Sequence, residues 1–356
     1  MSRCAASARR TSCSPRISSC SKAPRCWDFR ARPAASSNER PSGRLTAATR
    51  TCTSGARPRH RSSVHVTEPR IAEPLEAAVD VDKAIGEHYG RPGLEESILA
   101  ALAAAGRDPE RIRPEDIADI DELHVGGATT VRQLAHDVGL TSHARILDIG
   151  SGLGGPARQY AREFGAIVDG IDVTPRFVTT AASLTRRSGI TAGVTFTLGS
   201  ALDLPYEDAV FDAATMIHVG MNIEDKSTLF RSVARVLKPG ARFAIFDFMV
   251  VGDGKVEYPL PWADTVDTSF LATPDDYLSL LGDAGFAIDK QESRQQAASE
   301  GPVSRASSGN EGPPPVLGLQ LVLGENVATR MANISAARAR GVLAPIEIVS
   351  HIERPA

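Results

Sequence analysis

The sequence predicts an α/β protein whose main domain contains a parallel, doubly wound sheet. Short apolar segments of strand length alternate with segments of helical periodicity from about residue 145 onwards. A glycine-rich turn, residues 150–155, follows the first strand and opens a helix. Apolar residues make up 42% of the chain, and no uninterrupted apolar run approaches the ~18 residues that span a bilayer. These observations indicate a globular domain rather than a membrane protein.

Local signals place the elements of this domain. Strands are predicted at residues 145–149, 166–173, 194–198, 210–217 and 242–248. Helices are predicted between them at residues 156–164, from residue 175 onwards, and at residues 225–237. Thr174 is expected to cap the second helix, because Pro175 suits a first helical position. Lys238-Pro239-Gly240 is predicted to form a tight turn before the fifth strand.

The C-terminal part of the chain follows a different pattern. Helices are predicted at residues 273–284 and 328–340, and strands at residues 286–291 and 345–352. Residues 294–316 are rich in Ser, Gly and Pro, which predicts a mobile loop. Since no short helical crossover joins the two late strands, they are expected to form an antiparallel pair at the sheet edge.

Residues 1–63 differ from the rest of the chain in composition. They contain fourteen Lys and Arg, two acidic residues and all five cysteines. The cysteine spacing fits neither a zinc site nor a disulfide framework. A transit-like presequence, a disordered basic leader and an over-extended gene start are the alternatives. The last is favoured because the composition changes abruptly near Val64. A cytoplasmic location is expected, or organelle import if the leader is real.

Residues 64–139 are predicted to form an N-terminal helical cap and lid before the main α/β domain of residues 140–356. One helix is expected at residues 94–107, with its Ala-rich face on the core, and another at residues 129–139 with one apolar stripe. The polar loop 121–127 between them ends in Gly-Gly and contains His124. This loop is either a lid over a site or a solvated hinge.

The charge distribution bears on the partners. The whole chain has a net charge of -3, and the basic residues concentrate in the first 63 positions, so the folded part is acidic. An acidic body argues against nucleic-acid binding. No spaced cluster of ligand residues predicts a metal site. A small-molecule substrate is expected, for a monomer or a homodimer without a membrane span.

The glycine-rich turn is the strongest functional signal. It follows a strand that contains Asp148, and Gly150, Gly152 and Gly155 also satisfy the dinucleotide pattern. A pyrophosphate at this helix start would be repelled by the Asp148 carboxylate, whereas a cationic ligand would be attracted. Asp172, at the end of the second strand, can accept hydrogen bonds from ribose hydroxyls, although Asp is also common as a simple cap.

The runs ILDIGSGLGGPAR, GIDVT, GSALDLPYEDAVFDAATMIHV and RVLKPGARFAIFDF resemble successive motifs of class I S-adenosylmethionine-dependent methyltransferases. The nearest branch includes ubiquinone/menaquinone-type and sarcosine/dimethylglycine enzymes. The resemblance covers about residues 121–291. It implies S-adenosylmethionine as cofactor and a Rossmann-like, seven-stranded sheet with a C-terminal antiparallel hairpin.

The resemblance also implies a set of cofactor-binding residues. Around the amino acid part of the cofactor and its ribose they are Asp148, Gly150, Ser151, Gly152, Gly154, Asp172 and Val173. Beside the adenine they are Ser200, Ala201 and Leu202. Many relatives have Asp where this chain has Ser200, and a hydroxyl is a weaker partner for the adenine amino group.

Four further residues are candidates at the acceptor side. His218 follows the fourth strand and is the first candidate for a general base, with His124 the second; the alternative is that they only bind. Asn222 and Trp262 are expected to contact the substrate. The Trp262 face could hold a cationic amine or belong to the core. Tyr89 is expected to serve packing rather than chemistry.

The sequence therefore predicts methyl transfer to a small molecule, with N-methylation of an amine or amino acid-like substrate as the leading hypothesis. C- or O-methylation of a quinone or secondary metabolite is the alternative. An NAD-dependent oxidoreductase is a rival, but no tyrosine has a lysine four residues later, as one such catalytic pair requires. A non-catalytic cofactor-binding module is the third hypothesis.

Overall fold

The computed structural model describes residue 89 and residues 92–121, 124–190, 192–295, 317–324 and 326–353. The predicted leader, the start of the cap and most of the predicted 294–316 loop lie outside these described residues. Within the described ranges, strands and helices alternate in the predicted order.

The described residues form one mixed sheet. Its strands are β1 (Arg145–Ile149), β2 (Ile167–Asp172), β3 (Val194–Leu198), β4 (Phe211–Ile217), β5 (Leu237–Val250), β6 (Phe286–Ser293) and β7 (Leu343–Ile352). Their order is β3-β2-β1-β4-β5-β7-β6. The first five strands pair in parallel, and β7 pairs antiparallel with β5 and β6. The predicted Rossmann-like sheet with an antiparallel C-terminal pair is confirmed.

Helices cover both faces of the sheet. They are α1 (Leu94–Ala104), α2 (Pro114–Asp121), α3 (Gly127–Asp137), α4 (Gly155–Gln159), α5 (Pro175–Arg187), α6 (Lys226–Val236), α7 (Pro274–Asp283), α8 (Gln320–Leu323) and α9 (Val327–Ala339). Successive side chains of a strand point to opposite faces. Phe246 of β5 therefore packs with α3, α4, α5 and α9, whereas Ile245 packs with α6 and α7.

The N-terminal helices form a third apolar cluster together with α8. Leu94, Ile98 and Leu102 of α1 are buried in it, beside residues of α2 and Val322 of α8. Ala103 and Ala104 are exposed, so the expectation that the Ala-rich face of α1 packs on the core is wrong. Larger side chains remove more apolar surface from water, and this decides which face is buried. Among the described residues, no helix combines the length and apolar content needed to cross a membrane.

Two predicted helices differ locally. The helix expected at residues 156–164 ends as α4 at Gln159, and the chain continues as a π-helical turn, Tyr160–Phe164. Thr174 stands at the N-cap of α5, but its side chain makes no capping hydrogen bond. Its backbone N–H instead donates to Asp172 Oδ1 at 2.8 Å. Asp172 therefore satisfies an amide that the predicted cap would leave unpaired.

The predicted tight turn at Lys238-Pro239-Gly240 belongs to β5. Leu237 pairs with Phe211, and the register shifts before Arg242 pairs with Ala213. Gly240, with φ +80°, lies in this irregularity. The extra residues are thus accommodated as a bulge in a long strand rather than as a turn before a short one.

Candidate active site

A cavity lies at the carboxyl ends of β1, β2 and β4, where the strand order reverses. Such a reversal leaves a crevice in doubly wound sheets. All but one of the residues that the sequence analysis assigns to a site line this cavity. They are His124, Asp148, Gly150, Ser151, Gly152, Asp172, Val173, Ser200, Ala201, Leu202, His218, Asn222 and Trp262.

Gly150 and Gly152 form the floor of the cavity. Their φ angles are +66° and +52°, in the left-handed region that favours glycine. A Cβ at Gly150 would lie 2.3 Å from Val219 Cγ2, so this glycine allows the two loops to approach. A Cβ at Gly152 would meet no heavy atom within 4 Å. Because Gly152 lines the cavity, the open space beside it is room for a ligand.

Gly154 is the exception among the predicted residues, since it does not line the cavity. It is the N-cap of α4 with φ +81°, and a Cβ there would lie 2.5 Å from the Phe196 ring. A Cβ at Gly155 would lie 1.9 Å from the Asp121 carbonyl oxygen. Both glycines therefore let α4 pack closely on its neighbours. Contact of Gly154 with the cofactor stays a prediction.

Asp148 presents a carboxylate without a full set of partners. It is buried; Oδ1 accepts from Thr215 Oγ1 at 3.3 Å, and Oδ2 has no hydrogen-bond partner. Burial raises the pKa of this carboxyl to about 7, the Thr215 hydrogen bond lowers it, and the Asp172 charge raises it. An uncompensated buried carboxylate is costly, so the site favours a ligand that brings a positive charge.

Asp172 ends β2 and lines the cavity beside the glycine turn. Its Oδ2 accepts the Gly152 N–H at 2.9 Å, and its Oδ1 accepts the Thr174 N–H at 2.8 Å. Burial raises the pKa of Asp172, and these two backbone donors lower it. Each carboxylate oxygen has a second lone pair, which leaves room for a pair of vicinal hydroxyls.

The segment after β3 forms the next part of the wall. Gly199 N–H donates to the Asp172 carbonyl oxygen at 3.1 Å, which joins this segment to β2. Ser200 Oγ accepts the Leu202 N–H at 3.2 Å and keeps its own hydroxyl proton available. Ala201 and Leu202 supply apolar surface. The arrangement suits a flat heteroaromatic ring with a polar edge.

His218 lies directly after β4, at the centre of the cavity. Its backbone N–H donates to the Phe246 carbonyl oxygen at 2.8 Å. Its φ of +54° is strained for a residue with a Cβ. Asp247 holds the following turn, since its carboxylate accepts the N–H groups of Val219 and Gly220 at 2.9 Å each. Asp247 is therefore a positioning residue for His218 that the sequence analysis missed.

His124 lies across from His218, with 6.4 Å between the ring centroids. Burial lowers the pKa of His124 to about 4, although a hydrogen bond to Val125 opposes the shift. The pKa of His218 lies well below its ordinary value, first through burial and then through the charges of His124 and Arg338. Both imidazoles are therefore neutral at pH 7. Residues 122–123 of the predicted lid lie outside the described residues, but Val125 and His124 line the cavity.

An aromatic stack lines the part of the cavity that the sequence analysis expects to face the acceptor. The His218 ring stacks on Phe248 at 4.8 Å between centroids, and Phe248 stacks on Trp262 at 5.8 Å. Trp262 is 5% exposed, and its Nε1–H donates to Ser269 Oγ at 3.0 Å. The Trp262 side chain thus belongs to the apolar core and lines the cavity as well.

Buried Arg330 of α9 fixes the loop that carries Trp262. Its guanidinium donates to the Leu260 carbonyl oxygen and forms an ion pair with Asp264. Four apolar side chains from α8, α9 and the residue before α8 complete the cavity on this side: Leu319, Leu323, Met331 and Ile334. The sequence analysis missed them, because amphipathic periodicity shows that a helix face is buried but not that it faces a ligand.

Asn222 and Tyr89 meet at the edge of the cavity. The Asn222 Nδ2 donates to the Val219 carbonyl oxygen at 3.3 Å, and its side chain is hydrogen-bonded to the Tyr89 hydroxyl. Burial raises the pKa of Tyr89, so the phenol is neutral. Tyr89 was expected only to pack, yet it lines the cavity; its ring also packs tilted against Phe177, with 5.5 Å between the centroids.

These residues fit S-adenosylmethionine in four respects. The unpaired Asp148 oxygen suits the ammonium of its amino acid part, and the space beside Gly152 accepts a chain lying on the glycine turn. The Asp172 carboxylate suits the ribose, and the 199–202 segment suits the adenine. A pyrophosphate would place negative charge beside two buried carboxylates, which is unfavourable.

Comparisons with known proteins agree with this geometry. A family model described as a methyltransferase domain matches residues 147–245. O-methyltransferase rstn1 of Aspergillus nomiae is 30% identical over 182 residues, which cover 51% of this chain and 77% of that protein. Methyltransferase GfsG of Streptomyces halstedii is 36% identical over 137 residues, 38% of this chain and 49% of GfsG. The chain thus spans about half the length of GfsG and most of rstn1.

A solved structure with a similar fold is that of the cyclase SpnF. It has a TM-score of 0.57 and 21% identity, and the match covers 77% of this chain and 97% of SpnF. This likeness concerns the fold alone. The sequence relatives are methyltransferases, and they give no support to the NAD-dependent alternative. By its match to the family model and to rstn1, the chain belongs to the class I S-adenosylmethionine-dependent methyltransferases, whose cofactor is S-adenosylmethionine.

Proposed function

We propose that this chain transfers the methyl group of S-adenosylmethionine to a hydroxyl oxygen of a neutral, largely apolar small molecule. This is the O-methylation alternative of the sequence analysis, in place of N-methylation of an amine. The observation that carries the proposal is the uncharged acceptor side of the cavity. That side consists of the Phe248–Trp262 stack, the apolar α8–α9 side chains and two neutral imidazoles.

The positions of the acidic residues argue against a cationic amine as the acceptor. Among the described residues that line the cavity, the carboxylates are those of Asp121, Asp148 and Asp172. Asp121 is paired with the buried Arg158 guanidinium. Asp148 in β1 precedes the glycine turn and Asp172 at the end of β2 accepts the Gly152 N–H, so both lie at the cofactor side. An ammonium group at the acceptor side would have the Trp262 face as a partner but no carboxylate from these residues, and burying an unpaired charge is expensive.

The chain's own residues would align and shield the reaction. The cofactor supplies an activated methyl group and leaves as a neutral thioether, so the leaving sulfur needs no proton. The glycine turn and Asp172 hold the cofactor, the aromatic stack positions the acceptor, and α8 and α9 exclude water. The two histidines line the cavity and can exchange a proton or a hydrogen bond with a hydroxyl. The name of rstn1, an O-methyltransferase, supports the same acceptor atom.

The test uses S-adenosylmethionine labelled with ¹³C in its methyl group, together with a cell extract fractionated by polarity. We expect label in a compound that stays in organic solvent at acidic and basic pH and shows the ¹³C shift of an O-methyl group. The Gly152→Leu variant, which fills the cofactor side, should give no labelled product.

Two other results would contradict the proposal in different ways. A labelled amine that is extracted into acidic water would show N-methylation, which is the leading hypothesis of the sequence analysis. Tight binding of S-adenosylhomocysteine without any labelled product from any fraction would favour a non-methylating role, such as the cyclase chemistry named for SpnF.

A further inference from the structure

The backbone of one residue, Val125, contacts both of the histidines that line the cavity. The Val125 N–H donates to His218 Nε2 at 3.4 Å, and the Val125 carbonyl oxygen lies 3.1 Å from His124 Nδ1. A carbonyl oxygen can only accept a hydrogen bond, so His124 carries its proton on Nδ1. An N–H can only donate, so His218 Nε2 carries a lone pair and its proton is on Nδ1. Val125 therefore sets the tautomer of both rings.

The other nitrogen of each ring is free. His124 Nε2 and His218 Nδ1 are buried and have no hydrogen-bond partner among the described residues. From the tautomers, the first is a lone pair and the second is an N–H donor. Both rings line the cavity. A buried acceptor and a buried donor without partners are each unfavourable, and one hydroxyl group can satisfy both.

We propose that His124 Nε2 takes the proton of the acceptor hydroxyl while His218 Nδ1–H donates a hydrogen bond to the same oxygen, an assignment that rests on the proposed function. This exchanges the roles that the sequence suggests, where His218 is the first candidate for the base. The His218 lone pair is directed to the Val125 amide and is the less available of the two. His218 then orients the oxygen, and His124 removes its proton.

The transfer conserves atoms, electrons and charge. An oxygen lone pair forms the new O–C bond to the methyl group, and the C–S bond breaks with its electron pair on sulfur. The hydroxyl O–H bond breaks, its electrons remain on oxygen, and the proton passes to His124 Nε2. The products are a neutral methyl ether, a neutral thioether and an imidazolium at His124, which returns its proton to water after the products leave.

The environment of the two rings explains how a weak base suffices. Burial lowers the pKa of His124 to about 4, so its lone pair is available throughout the neutral range. The charges of His124 and Arg338 act on His218, whereas burial and the Val125 hydrogen bond act on His124. The neighbouring Val125, Phe246 and Phe248 are uncharged. A hydroxyl becomes far more acidic than an imidazolium once its oxygen bonds to the methyl carbon. Proton transfer to His124 is therefore downhill late in the step.

The experiment compares amide replacements that mimic one ring nitrogen each. In His124→Asn the side-chain N–H can still donate to Val125, but the Nε2 lone pair is lost. We expect kcat at saturating cofactor to fall about 10²–10⁴-fold, the size of a general-base contribution, with unchanged S-adenosylhomocysteine affinity. In His218→Asn the amide N–H replaces Nδ1–H, and kcat should stay within about tenfold of wild type. In His218→Gln, whose amide reaches the Nε2 position instead, the fall should exceed that of His218→Asn.

A second measurement does not depend on turnover. ¹⁵N NMR of the histidine-labelled protein should show both rings as Nδ1–H tautomers, and His124 should remain neutral at pH 6. The wild-type kcat should be flat from pH 6 to pH 8 at saturating cofactor. An Nε2–H tautomer at His124, or full activity of His124→Asn, would overturn the assignment. Failure of the proposed function is distinguishable from failure of this assignment. If the proposed function is wrong, wild-type protein yields no O-methyl product, although the tautomers can still be measured by NMR.

Discussion

Replacing Gly152 by leucine should strongly weaken cofactor binding. It should lower the stability of the fold no more than leucine at an exposed, left-handed glycine elsewhere does. A Cβ at Gly152 meets no atom within 4 Å, so the side chain enters the cavity rather than the protein core. It would occupy the place of the cofactor's amino acid part, and overpacking an occupied site is strongly unfavourable. We expect the affinity for S-adenosylhomocysteine, measured by calorimetry, to fall at least about 100-fold.

Gly189 provides the matched control. It has φ +76°, is exposed after α5, and a Cβ there also meets no atom within 4 Å. Leucine at either position therefore carries the same left-handed strain of about 1–2 kcal/mol. Gly189→Leu should lower the melting temperature as much as Gly152→Leu and leave the affinity unchanged. Equal affinities of the two variants would show that the space beside Gly152 is not the cofactor site.

Asp172→Ala should weaken cofactor binding about 10²–10⁴-fold, since two hydrogen bonds to a charged group contribute about 1.5–3 kcal/mol each. The carboxylate has a second role, because it accepts the N–H groups of Gly152 and Thr174. Its loss therefore also loosens the glycine turn. Asp172→Asn keeps one acceptor oxygen and should fall between wild type and Asp172→Ala in the same titration.

Asp169 on the same strand separates binding from stability. It is as buried as Asp172 and bonds Arg145 and Thr195 at 2.8 and 2.9 Å, but it does not line the cavity. Asp169→Ala should destabilise the fold and leave the affinity for S-adenosylhomocysteine unchanged. If Asp169→Ala weakened binding as much as Asp172→Ala, the ribose assignment would fail.

The sequence predicts well those features that depend on neighbouring residues. The glycine turn, Asp148 before it and Asp172 one strand later occupy fixed positions once a strand–helix–strand unit forms. As predicted, Asp148, Gly150, Gly152 and Asp172 line the cavity. Gly154 shows the limit of such patterns. It stands in the same glycine run, but its missing side chain faces Phe196, and a spacing rule does not say which side of the turn a residue faces.

Features that depend on distant residues were not predictable in the same way. The acceptor side combines Trp262 with Met331 and Ile334, and Arg330 joins the two segments. Helical periodicity shows only that α9 has a buried face. Similarly, the proposed roles of His124 and His218 depend on Val125, whose N–H donates to the His218 ring 93 positions away. The ranking of the two histidines as bases therefore could not be derived from their sequence context.

We expect this cavity to hold a cationic nucleoside whose ammonium pairs with Asp148. The most direct test is the affinity for S-adenosylhomocysteine as a function of pH, with NADH as the comparison ligand. The pKa of the free Asp148 carboxyl is raised to about 7 by burial, so the proton competes with the ligand below that value. Thr215 and Asp172 are the groups that act on it, and neither histidine titrates in this range.

We predict that S-adenosylhomocysteine binds more tightly as the pH rises to 8 and loses up to about tenfold in affinity per pH unit below 7. In Asp148→Asn, binding should be weak at every pH and independent of it between pH 6 and 8. NADH should not bind wild-type protein at the same concentrations. Clear NADH affinity without S-adenosylhomocysteine binding, or the same pH dependence in wild type and Asp148→Asn, would contradict the account.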